Sequence, residues 1–224
     1  MTYQFQFGWI IDYAPLLFSG IAVTLQLILV GAVFGIALGI ACAWARALGP
    51  RWLRPVVGAY VELIRNTPFL IQLFFIFFGL PSLGLQMSEL QAANLAMIVN
   101  LGAYGCEIVR AGIQATPRGQ FEAGASLAMT RFETFRHVVL VPSLGRIWPA
   151  LSSQVVIVML GSAVVSQIGA EDLTYAASYI QSRNFRAFET YIVSTLIYLA
   201  LAILVRRAMA LLGDAVFPRR AEAR

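Results

Sequence analysis

The chain has 224 residues, 59% of them apolar and only 12% charged, with a mean hydropathy of +0.77, a balance that excludes an ordinary soluble domain and fits an integral membrane protein. All 16 basic residues are arginine, so the net charge of +5 comes with no lysine at all and a GxxxxGK[ST] phosphate loop cannot be built. Any ATP hydrolysis linked to this protein therefore belongs to another chain, and the arginines follow a membrane rule rather than a nucleic-acid footprint.

In chain order, residues 1–15 hold Asp12, Trp9 and several other aromatic rings but no basic n-region, so they read as an interfacial segment rather than a secretory signal. The first predicted span, 16–44, is broken only by Ser19, Thr24 and Gln26 and is long enough for a hydrocarbon core of ~30 Å. Within it Gly31, Gly35 and Gly39 lie on one face, a ridge of small residues suited to a closely packed neighbour. A connection with Arg46, Arg51 and Arg54 leads to a second span, 56–80, that contains Pro68. The apolar run from Phe69 to Pro81 is too short to cross alone, so the helix either bends at Pro68 or restarts there with Thr67 as its cap. The remaining spans are predicted at 90–113, 147–168 and 188–212, with residues 169–187 as a polar linker. Cys42 and Cys106 both fall in apolar spans and read as small hydrophobes. With His137 the only histidine, no His/Asp/Glu cluster points to a metal site or a catalytic triad.

Between the third and fourth spans lies a polar island, Arg118 to Pro149. Thr116-Pro117 reads as an N-cap followed by proline at the first helical position. Thr130-Arg131-Phe132-Glu133 reads as a capping box. The expectation is two short helices, a hairpin over 117–137 joined near Ala128-Met129. Phe121, Leu127, Phe132 and Phe135 supply apolar anchors on this polar segment, the composition of a helix-in-groove contact. Five spans put the termini on opposite sides. Placing the 46–54 loop, the island and the C-terminal tail together puts 14 of the 16 arginines on that side, leaving only Arg183 and Arg186 opposite. The positive-inside rule then sets the N-terminus outside and the hairpin and C-terminus in the cytoplasm.

Several separated motifs resemble one family. Glu122-Ala123-Gly124, with the pattern running on to Pro142, is similar to the EAA loop of ABC-importer permeases. The polar amino acid permeases (histidine/arginine/opine-like) are resembled more closely still, through Glu62-Leu63-Ile64-Arg65-Asn66-Thr67-Pro68, Gln72-Leu73-Phe74-Phe75 and Phe78-Gly79-Leu80-Pro81. Tyr104 with Glu107-Ile108-Val109-Arg110-Ala111-Gly112-Ile113, then Pro117-Arg118-Gly119-Gln120, Phe188-Glu189 and Tyr198-Leu199 continue the likeness, which covers residues 15–212. The resemblance implies an all-α integral membrane protein of five transmembrane helices with a cytoplasmic coupling-helix hairpin, the type I ABC importer permease fold. It also implies a bacterial inner-membrane subunit beside a second permease, a different chain preferred over a second copy. An ATPase dimer would sit below, an extracytoplasmic binding protein would deliver a polar amino acid, basic ones included, and lipid would surround the spans. ATP and Mg would be bound by the ATPase, with no cofactor on this chain.

The same resemblance assigns Glu122, Ala123, Gly124, Leu127, Ala128, Arg131, Phe132 and Phe135 to ATPase coupling. Two positions depart from the family pattern: Gly124 stands where alanine is usual, and Ala128 where the hairpin turn usually has glycine. For the substrate path, Glu107 is the leading candidate, since ionisable residues in spans face protein or a wet cavity; its alternative is a helix-end partner for Arg110. Asn100, Thr67, Gln72, Gln154 and Ser162 offer hydrogen bonds along the path, or polar glue between helices. Where many family members carry Lys-Asp-Thr/Ser in the fourth span, this chain has Leu160-Gly161-Ser162. That leaves substrate recognition to other residues here, or to a partner subunit that holds the main site.

Overall fold

A computed structural model describes residues 4–217. All regular structure among them is helical. A short helix α1 (Trp9–Asp12) precedes the long α2 (Ala14–Ala47). After the basic connection come α3 (Leu53–Arg65) and α4 (Phe69–Phe74), the latter continuing through a π turn (Phe75–Gly79) into α5 (Leu80–Ser82). Next is α6 (Glu89–Gln114), then the hairpin helices α7 (Arg118–Ser126) and α8 (Arg131–Glu133). A second π turn (Thr134–Val139) joins α8 to α9 (Leu140–Gly161), which tightens into a 3-10 segment (Ser162–Ile168). The chain closes with α10 (Leu173–Asn184) and α11 (Ala187–Val216). Among the described residues, four continuous helical stretches are long and apolar enough to cross a membrane: Ala14–Ala47, Glu89–Gln114, Arg131–Ile168 and Ala187–Val216. The broken pair Leu53–Arg65 and Phe69–Ser82, meeting at 112°, makes a fifth if counted as one span.

The glycine ridge of α2 explains the central packing. Gly31 faces Met97, Gly35 faces Leu101, and Gly39 lies against the backbone at Gly105 and Cys106. These three contacts set α2 and α6 parallel and in register, with backbones so close that any side chain at Gly39 would collide with main chain. Around this pair, one core cluster includes Leu27, Met97, Leu101, Met159 and Leu173, and a second includes Ala43, Cys106, Val109, Phe135 and Leu151. The second cluster underlies the hairpin.

The chain breaks near Pro68 as its sequence demands, but Thr67 is not the cap. Its hydroxyl donates back to Leu63 O (2.8 Å), while Gln72 closes the gap by donating to Ile64 O (2.7 Å) and Thr67 O (2.9 Å). The expected Thr116 cap also differs: Pro117 takes the N-cap position of α7, and Thr116 is buried with its hydroxyl toward Gly112 O and Ser143. Turning inward satisfies two groups in the core that a solvent-facing cap would leave unmade. Residues 169–187 are more than a linker, because α10 packs into the core through Leu173, Ala176, Ala177 and Ile180. Arg219, Arg220 and Arg224, on which part of the charge count rests, lie outside the described residues.

Candidate functional site: the hairpin, its stems and the cavity above

The hairpin forms as two capped helices. At Thr130 both halves of the capping box are made: the hydroxyl accepts from Glu133 N (3.3 Å) and the Glu133 carboxylate accepts from Thr130 N (2.7 Å). At the other side of the turn, Ala128 N donates to Ala125 O and Met129 N to Gly124 O, each at 3.0 Å. That pair is a Schellman motif, which requires a left-handed residue at its centre, and Ala128 adopts φ +56° to supply it. Alanine there carries a Cβ penalty that glycine lacks. Gly124 has a separate reason to be glycine. A Cβ at that position would sit 2.7 Å from the Thr134 hydroxyl and 2.8 Å from its methyl, so α7 meets the start of the π turn where its side chain is missing.

The hairpin's apolar residues divide between two directions. Phe135 is buried, and Phe121 is half-buried against the same core cluster. Phe132 stacks edge-on to Trp44 at 5.8 Å yet stays 51% exposed, and Leu127 is 75% exposed. Glu122, Ala123 and Arg131 are exposed, and the Glu122 carboxylate makes no hydrogen bond or ion pair among the described residues. Both stems are clamped where they enter the bundle. Ser143 Oγ donates to Gly112 O (3.2 Å), and Arg146 donates to Ala115 O (3.1 Å), capping the end of α6 from α9.

Between the stems and the cavity, Glu107 lies between two arginines. It accepts from Arg110 Nη2 at 2.7 Å and from Arg46 of α2. The Arg46 contact follows from the parallel register, because helical side chains lean toward the N-terminus and Arg46 reaches back to the level of Glu107. Sequence reasoning placed Arg46 in a connection and missed it; the glycine ridge was the signal that could have aligned the two helices. Above, a cavity of about 400 Å³ is lined by Thr67, Pro68, Phe69, Asn100, Tyr104, Gln154, Ile157, Val158 and Gly161. It therefore brings together Thr67, Asn100 and Gln154 of the expected path. Gln72 sits behind, accepting from Asn100 Nδ2 at 3.0 Å. Ser162 is buried, donating to Met159 O at 2.7 Å, and it does not line the cavity. Glu107 does not line it either, though it shares α6 with Asn100 and Tyr104.

The family profile of the binding-protein-dependent transport system inner membrane component matches residues 35–217. The chain belongs to that family. Among curated relatives of this permease, the glutamine transport system permease protein of Escherichia coli (strain K12) is 32% identical over 204 residues, covering 90% of this chain and 93% of that protein. The L-cystine transport system permease protein of Bacillus subtilis (strain 168) is 35% identical over 195 residues, covering 87% and 83%. A crystal structure of an amino acid ABC transporter with histidines superposes on this permease with a TM-score of 0.83 at 35% identity, covering 95% of this chain and all of that one. An inward-facing methionine ABC transporter shares the fold at 23% identity, with a TM-score of 0.76 over 90% of this chain and 96% of that one. The fold is the type I ABC importer permease fold.

Proposed function

We propose that this chain is the permease subunit through which an ATP-driven importer passes a polar amino acid across a bacterial inner membrane. The observation that carries the reading is the hairpin: two capped helices, clamped at both stems, that hold Leu127 and Phe132 outward at the arginine-rich end of an apolar bundle. Such a surface suits a groove on an ATPase subunit, which would hold ATP and Mg. The arginine bias supports a cytoplasmic hairpin with the N-terminus outside. An extracytoplasmic binding protein delivers the substrate on the opposite side, and a second permease subunit closes the path.

Force entering at the hairpin has a short route to the cavity. The clamps from Ser143 and Arg146 tie the hairpin's second stem to the end of α6, and Glu107 ties α6 to α2. Movement of the stems therefore carries Asn100 and Tyr104, two residues of the cavity wall on the same helix. The ion pairs around Glu107 support its role as the pin between α2 and α6. The polar groups lining the cavity are hydroxyl and amide groups with no charged side chain among them, which supports a neutral polar amino acid. Replacing Glu122 by lysine tests the coupling: reconstituted with its ATPase and binding protein, the variant is expected to lose the rise in ATP hydrolysis that substrate produces. An unchanged rise, with the ATPase still bound at normal affinity, would remove the hairpin from the coupling route.

A further inference from the structure

Between the ends of α2 and α6 and the starts of α3 and α7 lies a second cavity, about 470 Å³, walled by Arg46, Arg54, Arg110 and Arg118. No carboxylate among the described residues lines it. Glu107 is committed to Arg46 and Arg110, whereas Arg54 and Arg118 have no ion-pair partner among the described residues. Glu122, one helical turn beyond Arg118, forms no bridge to it. Four arginines thus wall one space, and a single acid, Glu107, compensates two of them. We propose that this cavity holds the phosphate of an anionic phospholipid, taken from the leaflet at the arginine-rich end of the bundle.

Three features favour a lipid phosphate. Arginine forks match phosphate oxygens in paired hydrogen bonds, and a group of basic side chains between spans at a membrane boundary is the setting in which anionic headgroups bind. The same cavity has an apolar side, made by Ala47, Leu48, Ile113 and Phe121, along which the glycerol and the first methylenes can lie. Trp52, two residues from Arg54, is 68% exposed, as expected of a ring at headgroup level. Thr116 does not compete for the ligand, since its hydroxyl is turned to Gly112 O and Ser143. A zwitterionic choline lipid brings its own cation toward the four arginines and is disfavoured by the same charge that attracts a glycerol headgroup.

The test titrates the full chain, purified in detergent with its co-assembling subunits, with phosphatidylglycerol, phosphatidylcholine or inorganic phosphate, reading the midpoint of thermal unfolding. Phosphatidylglycerol is expected to raise the midpoint at a concentration roughly tenfold or more below that of phosphatidylcholine, with no response to inorganic phosphate in the same range. Arg54→Gln with Arg118→Gln should raise the concentration of phosphatidylglycerol needed by roughly tenfold or more. Arg51→Gln, an exposed arginine outside the cavity, should leave it unchanged. Arg54→Gln alone, on the exposed first turn of α3, provides the same reading with a smaller shift if the double variant does not fold. Equal responses to both lipids, an equal response to inorganic phosphate, or a variant that responds to phosphatidylglycerol like the parent each overturns the proposal. The last of these, combined with loss of the ATPase subunit, assigns the arginines to an acidic partner surface instead.

Discussion

The hairpin of α7 and α8 and the single helix α10 are both short helical insertions between spans, yet they are held in opposite ways. Helix α10 is embedded. Leu173, Ala176, Ala177 and Ile180 are buried, Leu173 N donates to Thr24 Oγ1 on α2 (3.1 Å), and Tyr198 of α11 donates to the Asp172 cap (3.1 Å). The hairpin touches the bundle through Phe121, Phe132 and Phe135, keeps Leu127 in the open, and tolerates an alanine in a left-handed turn. The contrast separates an element that the chain buries within its own bundle from one that it leaves largely exposed, as the proposed docking to an ATPase requires. Substitutions in the two places should then differ in size and in the assay that detects them.

The largest effect is expected at Gly20. A Cβ there would lie 2.9 Å from Leu173 Cα and 3.0 Å from Asp172 O, and neither backbone atom can move without lifting α10 off α2. Gly20→Val should cost about 3 kcal/mol, the upper range for overpacking a tight contact. Thermal unfolding of the chain alone in detergent checks it; a midpoint equal to that of the parent would mean that α10 is as loosely seated as the hairpin.

Asp172 provides a second test of how deeply α10 is built in. Burial lifts its carboxyl from 3.8 to about 6, against the opposing hydrogen bonds from Tyr175 N and the Tyr198 hydroxyl. The folded chain therefore holds this proton more tightly than the unfolded chain. Its contribution to stability is fully present below pH 3.8 and is lost as pH rises through about 6. Asp172→Asn keeps a capping side chain and should flatten that part of the stability profile, whose slope for one group is at most about 1.4 kcal/mol per pH unit. Parallel profiles for parent and variant between pH 4 and 7 would contradict the buried carboxyl.

A smaller effect is expected inside the hairpin. Gly124→Ala pushes a methyl against Thr134, costing about 1–2 kcal/mol locally. Thr134→Ala removes the two nearest atoms, and the side chain of Thr134 makes no hydrogen bond among the described residues, so the double variant should recover most of the loss. Limited proteolysis across residues 118–139 is the suitable readout, because global unfolding is dominated by the spans. Additive losses in the double variant would place the strain elsewhere.

How much of this was legible in the sequence depends on the range of the interaction. The glycine ridge, the Pro68 break, the Thr130 capping box and the position of the turn all rest on residues within a few places of one another, and their physics is local. Helix α10 was missed because its apolar residues alternate with Thr174, Ser178, Gln181 and Ser182, and two of the four that it buries are alanines. Only the tertiary surroundings reveal that Ala176 and Ala177 are buried, although Asp172 before Leu173 was a usable start signal. Arg46 and Glu107 are 61 positions apart, so their pairing is invisible without the register of α2 on α6. For the cavity, the amide and hydroxyl residues were nameable, but which of them share a wall depends on the 112° bend.

The smallest expected change is also the most direct measure of whether the proposed ATPase contact holds the hairpin closed. Ala128 sits at φ +56° because the Schellman bonds from Ala128 N and Met129 N need a left-handed residue between them. Glycine adopts that conformation freely, so Ala128→Gly should stabilise the folded turn by about 1 kcal/mol, less a few tenths for the added freedom of the unfolded chain. Amide exchange at Leu127 to Thr130 should slow about threefold, since exchange through local opening tracks the opening free energy. If a bound ATPase already holds the turn closed, the substitution changes exchange in the isolated chain and not in the complex. Equal slowing in both states would mean that the turn opens as readily under the ATPase as without it, and the contrast with α10 would then extend to the assembled transporter.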